Sequence, residues 1–181
     1  MAKNNLICHP DRVCTATELL SVGFEWLLDG HLKLRYELTG DLTQLRIPAP
    51  QSPGEADGLW EHSCFEAFIA VEGEAGYHEF NFSPSGQWAA YAFSDYRVRS
   101  IRTTWQPPFI SLANTNKHLL LEAVIADADL PQNIAGKPFQ LGLTAVIEAN
   151  DSSLSYWALH HPVSRPDFHH RAGFILSLNQ T

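Results

Sequence analysis

Glu66 is the residue whose surroundings most invite chemistry. It lies in Asp57-Gly58-Leu59-Trp60-Glu61-His62-Ser63-Cys64-Phe65-Glu66-Ala67-Phe68-Ile69. Read as a strand, Phe65, Ala67 and Ile69 share one face, and Cys64, Glu66 and Phe68 share the other. A carboxylate among apolar neighbours needs hydrogen-bond donors or a wet cavity. Two readings stand. Glu66 is the acceptor at the floor of a ligand groove, or it is a strand carboxylate paired with a neighbouring arginine or left in solvent. Trp60 follows a glycine-containing loop and opens the strand. A tryptophan there projects over a groove and stacks on a flat ligand or sugar ring, or it plugs the end of a sandwich. Trp157, in Ser155-Tyr156-Trp157-Ala158-Leu159, offers a second ring. Two indole faces around a carboxylate suit a pyranose, whose C–H faces pack on indole and whose hydroxyls donate to the carboxylate.

Other reactive residue types form weaker patterns. The sequence has nine histidines, with His160-His161 and His169-His170 in one C-terminal stretch. No HExxH, CxxC or HxHxDH spacing occurs, and adjacent histidines on a strand point apart, so we expect no metal site. These histidines read instead as loop residues bonded to backbone and solvent. Ser83-Pro84-Ser85-Gly86 is a turn and not a nucleophile elbow, and no glycine-rich phosphate loop is present. The carboxylate pairs Glu61 with Glu66 and Glu66 with Glu79 have the residue types of a glycosidase dyad. Arg97, Arg99 and Arg102 offer cations to an anionic substituent, or balance an acidic surface.

Composition narrows the partners. The chain has 181 residues, 12 Lys+Arg against 20 Asp+Glu, and a formal net charge of -8. Such a balance argues against nucleic acid, whose backbone is held by clustered Lys and Arg, and against an anionic membrane surface. No window approaches the about 18 apolar residues of a membrane span. The first residues have no apolar signal region, and the three cysteines, Cys8, Cys14 and Cys64, share no disulfide framework. We expect free thiols in a reducing cytoplasm.

The elements that would position these residues repeat with period two. Leu32, Leu34, Tyr36 and Leu38 alternate with Lys33, Arg35 and Glu37, and Tyr77, Glu79 and Asn81 alternate with His78, Phe80 and Phe82. Similar runs cover residues 19–28, 64–71, 87–93, 119–125, 139–147, 154–160 and 173–178. Turn signals such as Asp29-Gly30 and Asn114-Thr115-Asn116 separate them. This predicts one antiparallel all-β domain over residues 1–181, a sandwich or barrel, with Phe80, Phe82 and Trp88 in its core. Residues 48–58 read as a long loop within the domain. One short helix is expected over residues 130–136, with Asp129 as cap and Pro131 in the first turn.

The stretch from Leu59 to Ile69, the run Tyr77-His78-Glu79-Phe80-Asn81-Phe82-Ser83-Pro84-Ser85-Gly86-Gln87-Trp88, the tetrad Tyr156-Trp157-Ala158-Leu159 and Pro166-Asp167-Phe168-His169-His170 together resemble bacterial DOMON-like proteins. That group is related to the type 9 carbohydrate-binding modules. The resemblance implies a β-sandwich of about ten strands. It further implies a non-catalytic site for a small sugar or oligosaccharide, clamped between two tryptophans with a glutamate on its hydroxyls. Trp60 and Glu66 match the strand-start tryptophan and the glutamate six residues later, and Trp157 is the candidate second ring. Asn81 and Arg97 are further candidate ligand-binding residues. The wider group also holds haem. Its methionine–histidine ligation has no counterpart, because the sole methionine is Met1 and no Cys-x-x-Cys-His attachment occurs. A sugar therefore ranks above haem, and no cofactor is expected. The alternatives kept are a lyase or hydrolase using Glu66 with His78, a metal hydrolase using the C-terminal histidines, a haem or electron-transfer module, and an interaction protein pairing through a sheet edge.

Overall fold

A computed structural model describes residues 3–102 and 104–179. Fourteen strands build it: β1 (Lys3–Asn5), β2 (Ile7–Cys8), β3 (Thr17–Trp26), β4 (Leu32–Gly40), β5 (Gly54–Glu55), β6 (Cys64–Val71), β7 (Tyr77–Phe82), β8 (Gln87–Asp95), β9 (Val98–Ser100), β10 (Phe109–Asn114), β11 (His118–Ile125), β12 (Phe139–Glu148), β13 (Leu154–Ala158) and β14 (Leu176–Leu178). They form two sheets. The first has five strands in the order β1-β3-β4-β11-β10. The second has nine: β2-β13-β12-β6-β7-β8-β5, with β14 also on β12 and β9 also on β8. Every pairing is antiparallel except β5 with β8.

The alternation decides how the sheets pack. β4 buries Leu32, Leu34, Tyr36 and Leu38 and leaves Lys33, Arg35 and Glu37 partly exposed. Those residues pair across the solvent face, as Lys33 Nζ does with Glu122 Oε1 at 2.8 Å. The buried set meets Phe65, Ala67, Ile69, Phe80, Phe82 and Trp88 of the second sheet in one continuous core. The Tyr36 hydroxyl crosses that core and donates to the Glu66 carbonyl at 2.7 Å.

The second sheet is covered on both faces. All eight residues of β6 are buried. A smaller cluster on its outer face joins Phe68, Ala70, Tyr77, Phe93 and Phe174, with Tyr91 and Phe168 packed against it. The C-terminal segment roofs this face. Gly142 lets it come close, since a Cβ there would lie 2.7 Å from Phe174 Cδ1.

Three expectations are corrected. No helix forms over residues 130–136; among the described residues the only helical turns are short 3-10 segments, one of them at Asp127–Asp129. Asp129 is no cap, because its carboxylate accepts from Arg102 Nη2 at 2.6 Å and from the Gln106 amide at 2.8 Å. The loop over residues 48–58 contains one short strand, β5. The sheets also hold more than the ten strands expected, because short edge strands such as β1, β5 and β9 carry too few residues for a legible period.

Candidate functional site

A groove of about 810 Å³ opens on the outer face of the nine-stranded sheet. Its floor is built from residues that alternate with the core. Glu66 on β6 stands in register between Thr144 on β12 and Asn81 on β7. Phe68, two residues on, stands opposite Glu79, which stands opposite Tyr91 on β8. Glu66 and Glu79 are therefore diagonal neighbours on adjacent strands, a placement that sets Cα atoms about 7–8 Å apart. Both line the groove, and both are buried, at 3% and 5% exposure.

The two carboxylates are held differently. Thr144 Oγ1 donates a long bond of 3.5 Å to Glu66 Oε2, and Glu66 Oε1 has no partner. Burial, and then the nearby Glu79 charge, push the Glu66 carboxyl well above the usual carboxylate range. Glu79 Oε1 accepts from Asn81 Nδ2 at 2.8 Å, and its Oε2 lies 3.7 Å from His169 Nε2. Burial raises Glu79 to about 6, with the Asn81 bond opposing.

A relay through the rim sets the imidazole. The Arg97 amide donates to the Tyr77 hydroxyl at 3.1 Å, and that hydroxyl lies 2.8 Å from His169 Nδ1. With its oxygen accepting from Arg97, Tyr77 is assigned as donor to Nδ1, which leaves His169 Nε2–H facing Glu79. Burial first, and then Arg97, lower His169 to about 4, so the ring is neutral near pH 7. Asp167 fastens the segment that carries this histidine, accepting from Tyr96 Oη at 2.6 Å and Arg97 Nη2 at 3.0 Å.

Aromatic rings form the walls. Gly58, at φ 72°, starts the 3-10 turn Leu59–Glu61 that presents Trp60 at the rim. Trp60 meets Tyr91 edge-on at 5.9 Å between centroids, and the Tyr91 hydroxyl bonds Asp57 at the base of that loop. Arg99 lies over the Tyr91 ring, 4.0 Å from its centroid. On the opposite side Tyr156 of β13 packs edge-on against Phe168 at 6.0 Å, with Phe68 and Phe93 between the two walls.

Of the expected site residues, the groove brings together Trp60, Glu66 and Arg97. Arg97 is tied to Asp167 rather than free. Asn81 is fully buried beneath the floor, where it supports Glu79 and its Oδ1 takes the Cys64 thiol at 3.6 Å. Trp157 does not reach the groove. It points into the core, is 7% exposed, and donates from Nε1 to Ser155 Oγ at 3.0 Å. The pleat puts its neighbour Tyr156 in the wall instead. Sequence reasoning missed Tyr156 and His169. The alternation of Tyr156 with Trp157 was the available signal for the first, and no local pattern marks the second. Among the described residues no group of three or more His, Cys, Asp or Glu is placed to hold a metal ion. Met1, on which the haem comparison turns, lies outside the described residues.

No family model matches the chain, and no curated protein matches it. Solved structures do. A protein from Bacteroides uniformis with a provisional carbohydrate-binding designation superposes with a TM-score of 0.66 at 17% identity, over 96% of this chain and 84% of that one. A family 9 carbohydrate-binding module from Caldicellulosiruptor kristjanssonii in complex with glucose gives 0.50 at 12% identity, over 84% and 73%. A family 9 module from the same organism in complex with cellotriose gives 0.53 at 12%, over 87% and 72%. The chain thus has an antiparallel β-sandwich fold like that of the family 9 carbohydrate-binding modules.

Proposed function

We propose that this protein is a non-catalytic binding module for a small sugar or oligosaccharide, taken up by the groove on the outer face of the second sheet. One observation carries the reading: the orphan Oε1 of Glu66, buried at the floor of a groove whose rim bears Trp60. A buried acceptor without a donor is costly, and a ligand hydroxyl removes that cost. The sugar ring packs on Trp60, with Tyr156 as the opposing aromatic wall in place of a second tryptophan. The glucose- and cellotriose-bound neighbours of the same fold support this ligand class. The free thiols of Cys8, Cys14 and Cys64 suit a reducing compartment, and we place the protein in the cytoplasm.

Titration of tryptophan fluorescence with glucose and with cellotriose tests the proposal. A saturable change is expected, and it should weaken about three- to tenfold in Trp60→Ala, since an aromatic contact contributes about 0.5–1.5 kcal/mol beyond its area. Absence of any response by fluorescence and by calorimetry, or unchanged affinity in Trp60→Ala, refutes it.

A further inference from the structure

Four carboxylates are buried among the described residues: Glu66, Glu79, Asp129 and Glu148. Two are neutralised by arginine. Asp129 has Arg102 Nη2 at 2.6 Å, and Glu148 has Arg46 Nη1 at 2.7 Å with His62 Nδ1 at 2.8 Å. The pair in the groove has only the longer-range pull of Arg99 and Arg97 on Glu79. Among the described residues neither Glu66 nor Glu79 forms an ion pair with lysine or arginine, and the imidazole facing Glu79 is neutral near pH 7. Two adjacent carboxylates in a desolvated site cannot both ionise cheaply, so the pair holds a proton or takes a cation.

We propose that the groove prefers a cationic amino sugar, a hexose bearing a free ammonium, and seats that ammonium between Glu66 and Glu79 against the rings of Phe68 and Phe93. The assignment rests on the carbohydrate reading and specifies its ligand class. Three acceptor positions converge there: Glu66 Oε1 is unpartnered, Glu66 Oε2 has only the 3.5 Å bond from Thr144, and Glu79 Oε2 has only His169 at 3.7 Å. An ammonium carries three donors and one positive charge, which matches both the geometry and the uncompensated charge. Phe68 stands in register with Glu79, and Phe93 lines the same cavity; their apolar rings keep water from the carboxylates, which strengthens the attraction to a cation. A neutral hydroxyl satisfies Oε1 but brings no positive charge to replace the proton that the pair otherwise holds.

The surrounding charges fit this choice. Arg97 points at the groove but is bound to Asp167, and Arg99 is stacked on Tyr91 at the rim, so both act on Glu79 through space without contacting it. Glu61, also on the rim, adds to the acidic side. In the free protein burial and the Glu79 charge favour the protonated form of Glu66. The arriving ammonium takes that proton's place, so about one proton leaves on binding.

Calorimetric titration of the intact protein at pH 7 with glucosamine, glucose, N-acetylglucosamine and glucuronate, in two buffers of different ionisation enthalpy, tests this. Glucosamine should bind about tenfold or more tighter than glucose or N-acetylglucosamine, whose nitrogen is uncharged, and should release about one proton. Its advantage should shrink at pH 5, below the value of about 6 to which Glu79 is raised. In Glu66→Gln the ratio of glucosamine to glucose affinity should fall toward one. Equal or tighter binding of glucose overturns the ammonium assignment and leaves the carbohydrate reading standing. Tighter binding of glucuronate overturns it in favour of an anion held by Arg99. Silence of all four sugars defeats the carbohydrate reading and this assignment together.

Discussion

Replacing Glu79 by glutamine should stabilise the fold, and only above a defined pH. The side chain is 5% exposed, and burial raises its carboxyl from 4.5 to about 6. Because the folded value lies above the unfolded one, the folded state holds its proton longer. Below pH 4.5 both states are protonated, and Glu79 imposes no charge penalty. Above pH 6 both are ionised, and the folded state bears the full penalty. At about 1.4 kcal/mol per pH unit, that penalty is about 2 kcal/mol. Glutamine is nearly isosteric and still accepts from Asn81 Nδ2, so the variant removes the charge and keeps the 2.8 Å bond. A domain of this size shifts its Tm by about 2–4 °C per kcal/mol, which predicts a gain of about 4–8 °C. Thermal unfolding followed by circular dichroism at pH 4, 5, 6, 7 and 8 reads the effect. The difference between variant and wild type should be near zero at pH 4, rise between 4.5 and 6, and level off above. An unchanged or lower Tm at pH 8, or a gain of equal size at pH 4 and pH 8, would refute the claim that Glu79 is a buried, poorly compensated charge.

Three further outcomes follow from the same geometry. Tyr156→Ala should weaken sugar binding with little loss of stability, whereas Trp157→Ala should destabilise by about 3–5 kcal/mol through the cavity it leaves; urea unfolding and sugar titration of both variants separate wall from core. Gly142→Ala should lower stability by about 1–3 kcal/mol, because its Cβ would stand 2.7 Å from the buried Phe174 ring; thermal unfolding measures the loss. Burial lowers His78 and His169 from 6.5 to about 4, so the unfolded chain takes up protons first and stability is lost as pH falls from 6.5 towards 4. His78→Gln should lose less stability over that interval than the wild type in a pH series of urea midpoints.

Much of the sandwich was legible in the order of residues. The alternation in Leu32 to Leu38 marked β4, and the near-continuous apolar run of residues 64–71 and the run of residues 77–82 marked β6 and β7. Glu66 stood out because a carboxylate sat on an otherwise apolar strand face, and its burial follows from a sheet covered on both sides. The short strands and the 3-10 turns were not legible. They are held by edge pairing and side-chain bonds, such as those to Asp129, rather than by a repeating pattern.

The site was legible in part. Trp60 sits where a loop meets a strand, and local order places it at the rim. Choosing between Tyr156 and Trp157 required knowing which face of β13 meets the core, and both neighbours are aromatic, so period two alone is ambiguous there. His169 lies far in the chain from Tyr77 and Glu79 of β7, and it meets them where Asp167 fastens the C-terminal segment to the β8–β9 turn. Residue order by itself determined two alternating sheets, an acidic surface and one misplaced-looking carboxylate. Tertiary structure alone decided that a second carboxylate stands beside it with no lysine or arginine in contact among the described residues, since that charge balance depends on which strands become neighbours and on what roofs them.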